Sequence, residues 1–228
     1  MKRFIGLVTL FLITSGWPTA AQQLGTAQVN QPQPSDIRIN HDVLVEDYRL
    51  GFIFLDILNG TGLHGGFAEI ADCSGLPMGR LHIKKGVTVR QAMDALVAAN
   101  PGYKWSLQDG AVNLMPRDGV PLLRTKIVKF QMNATDNAIP ALLQEVLKLP
   151  EIRKGEAALG IKEGPGQGGG FAVDMHPAPK RPVPVQIEVQ NVTLQDAFNK
   201  IVHASPKGVW VYSETDCNGA KSFVVEMW

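Results

Sequence analysis

The sequence predicts an α+β fold of four strand-helix-strand units paired into two βαββαβ blocks, and three observations carry that expectation. Four segments repeat one amphipathic helical pattern, strand-like runs flank each of them, and two internal alignments lay units on one another. A chain of 228 residues with 45% hydrophobic and 19% charged side chains can bury a real core, in one large domain or two small ones.

The helical pattern is apolar at i, i+3, i+4, i+7 and i+8, which places five side chains on one stripe. It occurs at Leu50, Ile53, Phe54, Ile57 and Leu58, and again at Val89, Ala92, Met93, Leu96 and Val97. The third copy is Ile139, Leu142, Leu143, Val146 and Leu147; the fourth is Leu194, Ala197, Phe198, Ile201 and Val202. Thr88 with Gln91, and Thr193 with Asp196, have the spacing of a capping box, in which each residue satisfies a backbone donor near the other. Pro140 suits the first turn of the third helix, where its missing N–H costs nothing. Phe52 and Leu55 fall off the first stripe. The first helix is therefore apolar on more than one face, and those two residues are candidate partner contacts.

Strands are expected before the helices at 43–45, 82–83, 127–132 and 185–189, and after them at 67–70, 104–107, 171–173 and 209–212. Asp109-Gly110 and Asn218-Gly219 predict tight hairpins into 111–115 and 222–227, because such turns need positive φ.

A shift of 105 residues matches Val87-Thr88 with Val192-Thr193, Ala92 with Ala197, Leu96 with Ile201, Pro101 with Pro206 and Trp105 with Trp210. A shift of 144 matches Val45 with Val189, Leu50 with Leu194, Phe54 with Phe198, Ile57 with Ile201 and Asp72-Cys73 with Asp216-Cys217. Agreement in both pattern and punctuation implies internal repetition.

Residues 1–21 have the parts of a secretory signal: Lys2 and Arg3, an apolar run over 4–13, and Thr19-Ala20-Ala21 before the expected cleavage. The run is shorter than the roughly 20 residues of a spanning helix. A soluble, exported mature protein is expected, periplasmic or extracellular, with a flexible Gln/Pro/Asn-rich leader at 22–40. The blocks then span 41–116 and 122–228, joined by PRDGVP at 116–121, and the second carries Gly/Pro-rich loops over 163–184. Without Lys2 and Arg3 the 22 basic side chains become 20 against 21 acidic ones. That balance gives no electrostatic footprint for nucleic acid.

The run GRLHIKKGVTVRQAMDALVAANPGYKWSLQDGAVNLMP at 79–116 resembles the second half of the secretin and TonB short N-terminal (STN) domain. Ile83, Lys85-Gly86, the helix through Ala92 and Leu96, Gly102-Tyr103 and the Asp109-Gly110 hairpin follow in that family's order. The first helix and Thr61-Gly62-Leu63 fit its first half, while His64-Gly65-Gly66 departs from it; the second block would be a diverged copy. The resemblance implies a bacterial periplasmic module that binds a protein partner of the envelope.

Motifs for chemistry are weak beside these structural ones. GPGQGG at 164–169 satisfies G-x-G-x-x-G but lacks the strand before it and the helix after it that a dinucleotide site requires. His41, His64, His82, His176 and His203 show no metal-ligand spacing, and His203 falls on the polar side of its helix. No Gly-x-Ser-x-Gly elbow is present, and Asp72 and Asp216 read as turn residues of DCSG and DCNG. No catalytic, cofactor or metal residue is therefore assigned.

Trp105 and Trp210, recurring at one register, read first as core, with a ligand-stacking platform in a groove between the blocks as the alternative. Cys73 and Cys217 occupy equivalent places, so an intramolecular disulfide is expected, against free thiols or a link between chains. The leading expectation is an exported, non-catalytic protein-binding module; a small-ligand or glycan carrier comes second and a hydrolase last.

Overall fold

In the computed structural model, residues 33–34, 36–135, 139–164, 183–205 and 208–228 are described. The first stretch runs β1 (Val43–Arg49), α1 (Leu50–Leu58), β2 (His64–Asp72), β3 (Met78–Ile83), α2 (Val89–Ala99), β4 (Tyr103–Gln108) and β5 (Ala111–Pro116). A 3-10 turn at Leu122–Arg124 leads into β6 (Lys126–Thr135), α3 (Ile139–Leu147), α4 (Pro150–Leu159) and β7 (Ile161–Glu163). The chain closes with β8 (Pro184–Thr193), α5 (Leu194–His203), β9 (Val209–Cys217) and β10 (Ala220–Met227). This is an α+β fold with mixed sheets. The signal segment, most of the leader, the strand expected at 171–173, His176 and GPGQGG beyond its first glycine lie outside the described residues.

Local chemistry accounts for most boundaries. Both capping boxes are formed, by Thr88 with Gln91 on α2 and by Thr193 with Asp196 on α5. Asp109 and Gly110 have φ of 50° and 78°, and Asn218 and Gly219 have 55° and 82°, the left-handed pairs a tight hairpin needs. A further echo of the repeat is Asp47 (φ 49°) and Asn191 (φ 53°), each left-handed and each three residues before a helix. Helix α4 is an addition to the predicted set; it opens on Pro150 at its first turn and stops at Gly160 in the left-handed conformation.

A six-stranded sheet of order β4-β5-β2-β9-β10-β7 forms the centre, with three strands from each predicted block. One face carries α1 and α2, which also touch the two-stranded β1-β3 sheet; the other carries α3 and α5, which also touch the β6-β8 sheet. The layers are therefore small sheet, helices, large sheet, helices, small sheet. Phe67, Val112, Leu114, Val209 and Val211 face the first helix pair, and Ala68, Met115, Trp210, Tyr212 and Phe223 face the second. Central strands covered on both sides must be apolar on both sides, and β2 is buried from Gly65 through Glu69.

The two halves of this sheet follow one plan. β4 is antiparallel to β5 and β5 parallel to β2; likewise β9 is antiparallel to β10 and β10 parallel to β7. They join through β2 and β9, which run parallel, so the second trio is the first moved sideways and turned over by a half-turn across the strands. The join is head-to-tail. Along it Gly65 faces Val209 and Asp72 faces Asp216, each residue beside the one 144 positions later. The alignment read from the sequence is thus the register of the sheet at its midline.

Candidate functional site

The parallel register delivers Cys73 and Cys217 to the same end of β2 and β9. Their Cα atoms are 4.9 Å apart and the sulfurs stand at bonding distance, closing a loop of 144 residues. Beside them the two acidic residues shape turns. Asp72 accepts from the Ser74 backbone at 2.7 Å and from the Ser74 hydroxyl, and these bonds hold its carboxyl below the usual carboxylate range. Asp216 accepts from the Gly219 backbone at 3.3 Å and pairs with Lys221 at 3.5 Å.

Trp105 and Trp210 lie on opposite faces of the sheet, so they do not line one groove. Trp210 is fully buried, donating to Asn199 Oδ1 at 2.8 Å and packing on Phe198, which makes it core and removes it as a surface contact. Trp105 is half-buried on the edge strand β4; it donates to Asp94 Oδ1 at 2.8 Å and lies under the Arg90 guanidinium, 5.4 Å from the ring centroid. The two differ because β9 is central and β4 is an edge.

Phe52 and Leu55 are half-buried on the outer side of α1, where the sequence placed them. Phe52 stacks on Trp228 with ring centroids 5.0 Å apart and meets Tyr48 at 5.5 Å. Tyr48 is 49% exposed and Met78, across the β1-β3 ladder from Arg49, is 55% exposed. Trp228 is held there by a reciprocal pair of 2.9 Å backbone bonds with Val209 and by Nε1 donating to Glu226 at 3.2 Å. Sequence reasoning found Phe52 and Leu55 from periodicity but missed Tyr48 and Trp228, which belong to no helical stripe. The result is an apolar, aromatic surface with Arg49 and Glu226 at its border.

Two polar groupings, one buried and one half-buried, were also outside the sequence reading. Glu69 is 4% exposed on β2 and accepts from the Ser213 hydroxyl at 2.7 Å. Burial pushes its carboxyl above the usual range, against the lowering influence of Ser213 and Arg49, and the Tyr103 hydroxyl is raised by burial and by Glu69. The alternation Phe67, Glu69, Ala71 put a carboxylate at an inward position and was the available signal. His203, expected on a polar face, instead packs against His64 at 4.5 Å between ring centroids, because the start of β2 passes beneath the end of α5. Burial and the neighbouring His64 lower the pKa of His203.

His64 bonds the Ser205 carbonyl at 2.8 Å, His41 bonds Asn40 at 2.8 Å and Asp56 at 3.0 Å, and His82 pairs with Glu46 at 3.2 Å. Among the described residues no three His, Cys, Asp or Glu side chains gather as metal ligands, and no helix is long and apolar enough to cross a membrane. Comparison with protein-family models, curated proteins and solved structures found no match.

Proposed function

We propose that the chain is an exported, non-catalytic envelope protein that acts as an STN-like protein-binding module, with the surface around α1 as its contact. The observation that carries this reading is the Tyr48–Phe52–Trp228 cluster, in which the Phe52 ring meets the other two and the group is open to solvent on one side. Aromatic side chains, Met and Arg are the residues that interfaces concentrate, and the aromatic rings among them bury large areas at low entropic cost. Export is supported by the signal-like residues 1–21 and by a cysteine pair at disulfide distance, which suits an oxidising compartment. The test is partner capture from envelope extract by the mature protein, by Phe52→Asp and by Val128→Asp on the opposite small sheet. The reading expects a polypeptide recovered by the wild type and Val128→Asp and lost with Phe52→Asp; equal recovery by all three, or none, contradicts it.

A second reading, a small-ligand carrier, is favoured by one groove of about 200 Å³ where β4 and β5 meet the linker and α5. Lys104, Ser106, Gln108, Arg124 and Gln195 line it, and neither cation has a carboxylate partner among the described residues. Such a lining selects a small anion. Chemical-shift changes with inorganic phosphate, confined to these residues and lost in Lys104→Ala, would support it; unmoved resonances would remove it.

A further inference from the structure

The edge of β4 that faces away from β5 carries no strand among the described residues, whereas the counterpart edge of β9 is filled by β2. The two strands match closely. Each has a tryptophan, Trp105 or Trp210, whose Nε1 donates at 2.8 Å to an Oδ1 of the helix beside it, Asp94 on α2 or Asn199 on α5. Both pairs obey the repeat shift of 105 residues. At β9 the indole overhangs the strand edge and lies where a side chain on Gly66 would stand, so β2 can close there only because residue 66 has none. Placed alike, Trp105 sets the same condition at the open edge of β4: a parallel strand with glycine abreast of the indole.

We infer that a second copy of this chain fills that edge with its residues 169–172, laid parallel to β4 with Gly170 abreast of Trp105. The segment is Gly169-Gly170-Phe171-Ala172, a letter-for-letter copy of Gly65-Gly66-Phe67-Ala68, the part of β2 that closes on β9. It cannot reach the edge within its own molecule. Gly164 is bonded to the Phe223 carbonyl on β10, beside β7 at the far side of the sheet. The six residues from Gly164 to Gly170 span at most about 21 Å, while a strand outside β4 lies six strand spacings away, about 29 Å. The occupant therefore comes from another copy. Because the acceptor edge and the donor segment are different parts of the chain, the contact is head-to-tail and leaves both a free edge and a free segment at its ends, which yields open chains or rings.

The test is the mass of the mature protein by sedimentation equilibrium over a concentration series, for the wild type and Gly170→Val, with thermal unfolding as the check on folding. Gly170 lies outside the described residues, and the unfolding midpoint of Gly170→Val reports whether the fold is kept. We expect wild-type mass to rise with concentration beyond the dimer, and Gly170→Val to weaken association by about tenfold to a hundredfold, the range an overpacked contact gives. A synthetic peptide of residues 166–175 should dissociate the wild-type oligomer and shift Trp105 emission. A wild type monomeric at every concentration, or association unchanged by Gly170→Val and by the peptide, overturns the inference.

Discussion

Gly66 lies abreast of Trp210 across the β2-β9 junction, and the indole occupies the space that a side chain on residue 66 would fill. The two halves of the molecule close on each other through this absence. Gly66→Val should therefore lower the unfolding free energy by about 3 kcal/mol or more, the upper range for overpacking in a closed core. Gly102→Ala is the control, since nothing lies within 4 Å of a Cβ there and its backbone is unstrained, and it should change stability by less than about 0.5 kcal/mol. Urea unfolding of both variants decides; equal losses would mean the junction is not packed as described.

Reducing the Cys73–Cys217 link removes a constraint on a loop of 144 residues. The chain-entropy model gives about 5 kcal/mol for such a loop. Cys217→Ala should lose stability on that scale while keeping the fold, because the β2-β9 ladder and both cores remain. Equal midpoints with and without reductant would show that the thiols are unlinked in solution.

Glu69 predicts a pH dependence whose sign follows from burial. Its folded-state pKa is raised above the ordinary value of 4.5, so in the window above 4.5 the folded chain holds a proton that the unfolded chain has released. The contribution of Glu69 to stability is complete below that window and declines as pH rises through the folded pKa. Glu69→Gln keeps an acceptor for the Ser213 hydroxyl and carries no charge. It should be more stable than wild type at pH 7, with the advantage shrinking toward pH 4; a variant less stable than wild type at neutral pH would contradict the assignment.

Local chemistry was the legible part of this chain. Thr88 with Gln91, Thr193 with Asp196 and the two left-handed hairpins act within a few residues, so their spacing alone located the helix starts and turns. Helix α4 escaped because its inward residues are only Ile152 and Glu156, too few for a stripe, and Gly155 interrupts it; Pro150 and Gly160 were the signals available. The pairing of β2 with β9 depends on contacts across 144 residues, which no local pattern encodes. That pairing also separates Trp105 from Trp210: one register yields an edge indole and a buried one. Of the aromatic surface, Phe52 and Leu55 could be read from the helix period, whereas Tyr48 and Trp228 join them only once β1 and the final residue are folded against α1.

The β2-β9 junction is the claim on which the rest depends, since it makes one sheet of the two strand trios and leaves the β4 edge and the α1 surface open. Hydrogen exchange resolved by residue measures it directly. Amides of β2 between Gly65 and Phe67 and of β9 between Val211 and Thr215, where each strand is paired on both sides, should exchange at the rate of global unfolding, as expected of central strands. Fast exchange in either segment, of the kind an open edge shows, would contradict the account.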